Sequence, residues 1–285
     1  MYLDKNTKIL IVGLGLIGGS YAQKLTSLGF EVGAISLEED DINFALENHY
    51  ISSGSTKLEK EYVSKFDLVI FALYPHVFLS WIKEYQHLLK HNALITDVTG
   101  IKEAIIYDIQ NILREDISFV AAHPMAGREV SGVRNSNPDI FINANYIVVP
   151  TNKNKEEDIL KIEELGKLLG FKNIARLSPS EHDEMIGFLS QLTHCIAISL
   201  MTCKNSTHLS EYTGDSFRDL TRIGKINEEM WCELFLLNKK KLLKEMELFI
   251  NQFNNLKDAI ENEQEDKIKE IMKLSTKNRS YFDKR

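Results

Sequence analysis

The stretch GLGLIGGS near the start of the chain constrains its fold most, because it follows the apolar run KILIVG and opens a helical pattern. Gly13, Gly15 and Gly18 match G-x-G-x-x-G, in which glycines permit a tight turn and a close approach of backbone to a pyrophosphate. The helix that opens at Leu16 and Ile17 would offer free N–H groups to that anion. The turn therefore predicts a dinucleotide site formed by these five residues.

Short apolar runs alternate with amphipathic segments through residues 1–177. Such near-continuous runs are typical of strands covered on both faces, and their alternation with helices predicts an α/β fold with a doubly wound parallel sheet. Helices are expected after the glycine turn, after Pro75 and from Lys102 to Leu113. The predicted strands are 8–13, 30–35, 67–73, 93–98, 118–123 and 146–150.

Strand signals end near residue 178, which predicts a second, all-α domain over residues 178–285. One helix is expected to start near Ser180, with Asp183 completing a variant capping box. A long helical pattern begins after Asn227 and carries apolar residues at helical spacing from Trp231 to Ile260. A stripe of that length indicates packing against other helices, within the chain or in a second subunit, and we expect a homodimer.

Charge and cysteine content narrow the classes of partner. A net charge of −7 argues against nucleic-acid binding, because the long-range field would repel phosphate. The chain has no basic, apolar leader and no uninterrupted apolar run of the roughly 18 residues that span a bilayer. Cys195, Cys203 and Cys232 have neither CxxC nor CxxH spacing, which predicts reduced thiols in the cytoplasm and no metal site.

The end of the second predicted strand bears on the choice of cofactor. An acidic residue there usually takes the ribose hydroxyls of NAD, and a basic residue accommodates the extra phosphate of NADP. Here Ser36 stands at that point, and LEEDD follows with no Lys or Arg before Lys57. The acids would repel a 2′-phosphate, so the sequence favours NAD.

Two faces are expected on the helix that starts near Ser180 when its residues are projected at helical spacing. The apolar face should pack in the core, and the face of small and polar residues that carries His194 should line a cleft or meet another subunit. The predicted apolar face is Met185, Leu189, Leu192, Ile196 and Leu200, and the opposite face is Gly187, Ser190, Gln191, His194 and Ala197.

Two further residues are candidates for chemistry. His123 ends an apolar run directly before Pro124, which biases it towards extended backbone and places it where strand ends meet a cofactor crevice. It is either a satisfied structural histidine or a base. Arg222 lies three residues after Asp219, an arrangement that fits an ordinary ion pair or a guanidinium oriented to grip a carboxylate.

Five segments resemble, in order and approximate spacing, the prephenate dehydrogenases of the tyrosine pathway. The resemblance implies a Rossmann domain followed by a dimerising helical domain, and the NAD(P)-dependent oxidative decarboxylation of prephenate to 4-hydroxyphenylpyruvate. The segments are GLGLIGGS, TDVTGIK, AHPMAGRE, EHDEMIGFLSQLTH and FRDLTRIGKINEEMW.

The resemblance also implies roles for particular residues. His123 would accept the proton of the ring hydroxyl, and His194 would lie near nicotinamide and substrate. Arg222 would bind a carboxylate of prephenate, and Glu129 would lie at the mouth of the site. Thr99 is a candidate catalytic residue, because its hydroxyl stands one position from a serine that is frequent in the family.

Another departure is Gln191, which replaces the first histidine of an SHxxH segment and indicates that this position is not essential to the chemistry. Two alternatives stay open: an arogenate dehydrogenase, and a non-catalytic NAD-sensing dimeric module. The length of the chain leaves no room for a fused mutase or regulatory domain, so we expect a monofunctional enzyme.

Overall fold

The computed structural model describes residues 3–204 and 207–283, and its first part is built on a six-stranded parallel sheet. The strand order is β3-β2-β1-β4-β5-β6, with the chain running outwards in both directions from β1. The predicted doubly wound sheet is thus confirmed. The strands are β1 Lys8–Val12, β2 Glu31–Ile35, β3 Ser53–Ser55, β4 Leu68–Phe71, β5 Leu94–Asp97 and β6 Ser118–Phe119.

Five helices cover the two faces of this sheet, and each face has its own apolar core. The carboxyl ends of β1 and β4 form the switch point at which consecutive connections leave in opposite directions, and ligands of open α/β sheets bind there. The helices are α1 Leu16–Ser27, α2 Glu39–Glu47, α3 Lys60–Val63, α4 Pro75–Tyr85 and α5 Glu103–Ile112.

A second, three-stranded sheet corrects part of the strand prediction. The run predicted as one strand at 118–123 divides into β6 and β7 (Ala121–Met125), and β7 pairs antiparallel with β8 (Asn145–Val149). The run at 146–150 therefore does not join the parallel sheet. After α6 (Glu156–Leu169), β9 (Asn173–Arg176) pairs parallel with β8. An apolar run reports burial but does not identify the neighbouring strand, and the largely exposed β9 has no apolar run at all.

The second part of the chain is helical, as predicted. One continuous helical segment comprises α7 (Pro179–Ile186), a π-helical stretch (Gly187–Leu192) and α8 (Thr193–Thr202). By length and composition alone this segment is long and apolar enough to cross a membrane, although polar residues interrupt its apolar sequence. The remaining helices are α9 Asp215–Thr221, α10 Glu228–Leu237, α11 Lys239–Glu261 and α12 Glu265–Arg279.

The start of α7 differs by two residues from the prediction. Ser178, not Ser180, is the N-cap, and its side chain and that of Glu181 satisfy each other's backbone N–H groups in a capping box. Pro179 occupies the first turn, where a missing N–H costs nothing. The expected long helix after Asn227 is also interrupted, since α10 ends at Leu237 and α11 begins at Lys239, with Asn238 between them.

The two faces expected on the helical segment are wrong in part. Gly187, Gln191 and Ala197, assigned to the cleft face, are buried, whereas Leu189 of the expected core face is 43% exposed. The π-helical stretch explains the change, because its i→i+5 hydrogen bonds rotate each later side chain relative to an α-helix. The apolar side chains left outside, such as Phe188, form a surface suited to a second subunit.

Candidate active site

The glycine turn lies at the switch point and has the shape of a phosphate cradle. Gly13 has φ +102°, and a Cβ there would lie 2.5 Å from the carbonyl oxygen of Ala72. A Cβ at Gly18 would lie 1.9 Å from the carbonyl of Gly13, so only glycine fits either position. Gly15 faces open space and caps α1 without any side-chain acceptor for the first N–H groups of the helix. These residues fit a dinucleotide pyrophosphate, which would accept those N–H groups.

Two acidic side chains follow the position expected for the adenosine ribose. Ser36 is buried at the carboxyl end of β2, with its backbone N–H 3.4 Å from the carbonyl of Ser55. The next turn carries Glu38 and Glu39, both exposed, at the N-terminus of α2. No cation intervenes in this turn, in agreement with the sequence.

His123 lies on β7 and is partly buried, and the N–H of the preceding Ala122 lies 3.3 Å from the Asp97 carboxylate at the carboxyl end of β5. The Nδ1 atom of His123 lies 2.9 Å from Nε2 of His182. Burial lowers the pKa of His123 well below the usual value for histidine, and the neighbouring His182 and the positive charge of Lys102 act in the same direction. His123 is therefore a neutral imidazole at physiological pH, as a base must be before it accepts a proton.

A buried polar cluster lies behind His123. Nδ1 of His182 is 2.7 Å from the Asp183 carboxylate, which also accepts the backbone N–H groups of Lys102 and Glu103 at the start of α5. The Lys102 ammonium is 2.6 Å from Asp97, and both side chains are fully buried. Burial lowers the pKa of Lys102, and the neighbouring carboxylate of Asp97 opposes that shift.

Thr99 belongs to this cluster. Its hydroxyl lies within hydrogen-bonding distance of the Asp97 carboxylate and of the Ile101 carbonyl, and it accepts from the Lys102 ammonium at 3.1 Å. These contacts direct the hydroxyl towards Lys102, and no described hydrogen bond joins it to His123. The catalytic role of Thr99 stays a prediction.

Arg222 and Glu129 form an ion pair between the two parts of the chain. Glu129 lies in the segment after β7, and Arg222 follows α9, so residues 93 positions apart meet. In the part of the chain that the structure describes, no ion pair joins Arg222 to Asp219, the alternative that the sequence left open. Arg222 follows the end of α9 and extends to the His123 segment instead.

His194 lies beside this ion pair. Its Nδ1 is 2.9 Å from the Ser190 carbonyl, and its ring packs on Trp231 with centroids 3.7 Å apart. Burial lowers the pKa of His194, while the Ser190 carbonyl raises it and the charges of Glu129 and Arg222 act in opposite directions. His194, Glu129 and Arg222 thus form one cluster, joined to His123 through residues 124–128.

Comparison with known proteins identifies this arrangement. The nucleotide-binding domain of prephenate dehydrogenase matches residues 22–175, and the prephenate dehydrogenase dimerization domain matches residues 178–274. The chain belongs to the prephenate dehydrogenase family. Members of this family are oxidoreductases of tyrosine biosynthesis, so the resemblance seen in the sequence is confirmed.

Individual relatives agree over most of the chain. The prephenate dehydrogenase of Bacillus subtilis (strain 168) is 31% identical over 90% of this chain and 70% of its own length. The cyclohexadienyl dehydrogenase of Zymomonas mobilis is 27% identical over 95% of this chain and 94% of its own. The crystal structure of A. aeolicus prephenate dehydrogenase with hydroxyphenyl propionate and NAD+ has a TM-score of 0.89, at 29% identity and 97% and 98% coverage.

Gln191, which replaces a histidine found in many family members, makes structural hydrogen bonds in this chain. Its side chain is buried, donates to the Leu234 carbonyl at 2.8 Å and accepts from Asn238 at 2.8 Å. Asn238 also donates to the Asp183 carbonyl at 2.8 Å. These hydrogen bonds link the π-helical stretch to the junction of α10 and α11. That the position is not essential to the chemistry stays a prediction.

The sequence did not single out the groups behind His123. These groups, His182, Asp183, Lys102 and Asp97, all lie in segments that carry the family resemblance, but no role in the chemistry was assigned to them. The adjacent acid and imidazole in EHDE were a usable signal, although only the fold shows that this helix start meets the end of β7.

Proposed function

We propose that this chain catalyses the NAD-dependent oxidative decarboxylation of prephenate to 4-hydroxyphenylpyruvate and acts as a homodimer. The observation that carries the proposal is His123, a partly buried, neutral imidazole on β7 whose Nδ1 is engaged by His182. The similarity to the B. subtilis enzyme favours prephenate. The match to a dimerization domain supports the second subunit.

NAD is the cofactor that best suits the residues present. Gly13, Gly15 and Gly18 with the start of α1 would hold its pyrophosphate, and the acids after Ser36 disfavour a 2′-phosphate. The A. aeolicus relative was solved with NAD+. When bound, the nicotinamide supplies the acceptor for the hydride that leaves the ring carbon of the substrate.

His123 performs the proton transfer. Because its Nδ1 is occupied, Nε2 is the atom that can accept the proton of the ring hydroxyl as the carbonyl forms. The carboxylate at the opposite ring position then leaves as carbon dioxide, and its bonding electrons complete the aromatic ring. The regained aromaticity makes the overall step strongly downhill.

Arg222 and His194 hold and enclose the substrate. A guanidinium can bind a carboxylate through two parallel charge-assisted hydrogen bonds, and Arg222 already contacts the Glu129 carboxylate through one of its nitrogens. Prephenate would exchange with or displace that carboxylate. His194, whose ring packs on Trp231, lies beside Arg222 and would enclose the substrate ring from the same side.

The test is cofactor reduction, followed by absorbance, with prephenate and arogenate, each with NAD and with NADP. We expect the highest kcat/KM with prephenate and NAD. A higher value with arogenate would transfer the proposal to that substrate, and no reduction with either would favour the non-catalytic, NAD-sensing alternative.

A further inference from the structure

A chain of three hydrogen-bonded side chains leads from the candidate base into the protein interior. Nδ1 of His123 is 2.9 Å from Nε2 of His182, and Nδ1 of His182 is 2.7 Å from Oδ1 of Asp183. His182 and Asp183 are 0% and 2% exposed, so water does not compete for these contacts. The arrangement differs from that of an isolated catalytic histidine, because its inner nitrogen has a defined partner.

The positions of the protons follow from Asp183. Its carboxylate accepts N–H groups of Lys102 and Glu103 at 2.9 and 2.8 Å, at the positive end of α5, and this stabilises the ionised form. An ionised carboxylate can only accept hydrogen bonds, so Nδ1 of His182 must carry a proton. Because the buried imidazole of His182 is neutral, its Nε2 carries no proton and can accept a hydrogen bond. His123 must then donate from Nδ1, which leaves the lone pair on its Nε2.

We propose that His182 and Asp183 are positioning residues, which hold His123 in the one tautomer and orientation that make Nε2 the base. The inference rests on the proposed function of His123. In this proposal His182 and Asp183 orient the lone pair of His123 Nε2 towards the substrate. Thr99 does not share this function, because its hydroxyl contacts Asp97 and Lys102 instead.

The buried cluster holds charges of both signs. Asp97 and Asp183 bring two carboxylates, and Lys102 brings one ammonium. Burial, together with the Lys102 charge, lowers the pKa of His123, which keeps the imidazole neutral until the substrate hydroxyl supplies a proton.

Two substitutions of similar size separate positioning from packing. In His182→Gln the amide oxygen can replace Nε2 as the acceptor for His123, whereas in His182→Asn the shorter amide can still donate to Asp183 but no longer reaches His123. We expect His182→Asn to lower kcat by about a hundredfold and His182→Gln by less than about tenfold, out of the roughly 10²–10⁴-fold that a general base contributes. The KM for prephenate should change little in either variant.

The pH profile supplies a readout that packing alone would not move. Without its acceptor, the imidazolium of His123 is less stable, so the acidic limb of kcat/KM should move to lower pH in His182→Asn and stay in place in His182→Gln. Equal losses in kcat in the two variants with unchanged pH profiles would overturn the proposal.

A measurement independent of turnover is the nitrogen NMR spectrum of the protein with labelled histidines, with His123→Asn used for assignment. We expect the proton of His123 on Nδ1 in the wild type and a mixture of tautomers in His182→Asn. A proton on Nε2 of His123 in the wild type would refute the proposed positioning by His182 and Asp183. If the wild type does not oxidise prephenate, the proposed function fails, and the spectrum still decides the tautomer.

Discussion

Replacing Arg222 by lysine separates substrate binding from chemistry. The guanidinium extends from the helical part of the chain to Glu129, close to the base in sequence and in the cleft. A lysine keeps the charge but loses the planar fork that binds a carboxylate at two points. Arg222→Lys should therefore raise the KM for prephenate much more than it lowers kcat, the pattern of lost uniform binding.

The size of the effect follows from the exposure of the pair. One charge-assisted hydrogen bond contributes about 1.5–3 kcal/mol, and 1.4 kcal/mol corresponds to about a tenfold change in affinity. The Arg222 side chain is 62% exposed, so solvent screening places the loss at the lower end of that range. We expect about a tenfold rise in KM for Arg222→Lys, and about a hundredfold rise for Arg222→Ala, which loses both bonds.

Steady-state kinetics with prephenate varied at saturating NAD, together with NAD titration by fluorescence, measures both quantities. Glu129→Gln is the matched control, because it releases the guanidinium without removing it and should leave the KM for prephenate unchanged or lower. If Arg222→Lys loses NAD binding or unfolds while its KM for prephenate stays normal, the ion pair with Glu129 is structural and the assignment is wrong.

Four other predictions follow from the same structure. His123→Asn should lower kcat by about 10²–10⁴-fold with NAD affinity unchanged, and an unaltered kcat would make His123 structural. Since His123 must be neutral and its pKa is lowered, the acidic limb of kcat/KM should lie below pH 6.5, the usual pKa of histidine, and a limb at or above that pH would contradict the assignment. NAD should give a higher kcat/KM than NADP, because the turn after Ser36 is acidic; equal values would refute this. Phe253→Glu on the exposed face of α11 should convert a dimer to a monomer in light scattering at micromolar concentration, and a monomeric wild type would exclude the homodimer.

Sequence patterns predicted the parallel sheet and the glycine turn well, because both are local. Gly18 lies against the carbonyl of Gly13, and Gly13 itself has φ +102°, so both needs arise largely within the turn, although the Ala72 carbonyl also lies against Gly13. Buried strands likewise have near-continuous apolar runs. The second sheet could not be predicted in the same way. Its last strand, β9, is mostly exposed, and the pairing of β7 with β8 depends on residues about 25 positions apart.

In the candidate site, too, the sequence indicated individual residues but not their contacts. The resemblance directed attention to His123, His194 and Arg222, but their partners are set by the fold. Arg222 contacts Glu129 rather than Asp219. Projection at a fixed helical angle placed Gln191 on the cleft face, but the π-helical stretch turns its side chain into the interior. Hydrogen bonds that alter the local helical period cannot be read from apolar spacing alone.

The central claim, that this chain couples oxidation of prephenate to its decarboxylation, is tested most directly by the stoichiometry of the products. Purified protein would be incubated with prephenate and NAD, and 4-hydroxyphenylpyruvate, carbon dioxide and reduced cofactor would be quantified in the same reaction. We predict equal amounts of all three. Prephenate that is left unconsumed in the presence of NAD, or reduced cofactor formed without carbon dioxide, would contradict the account.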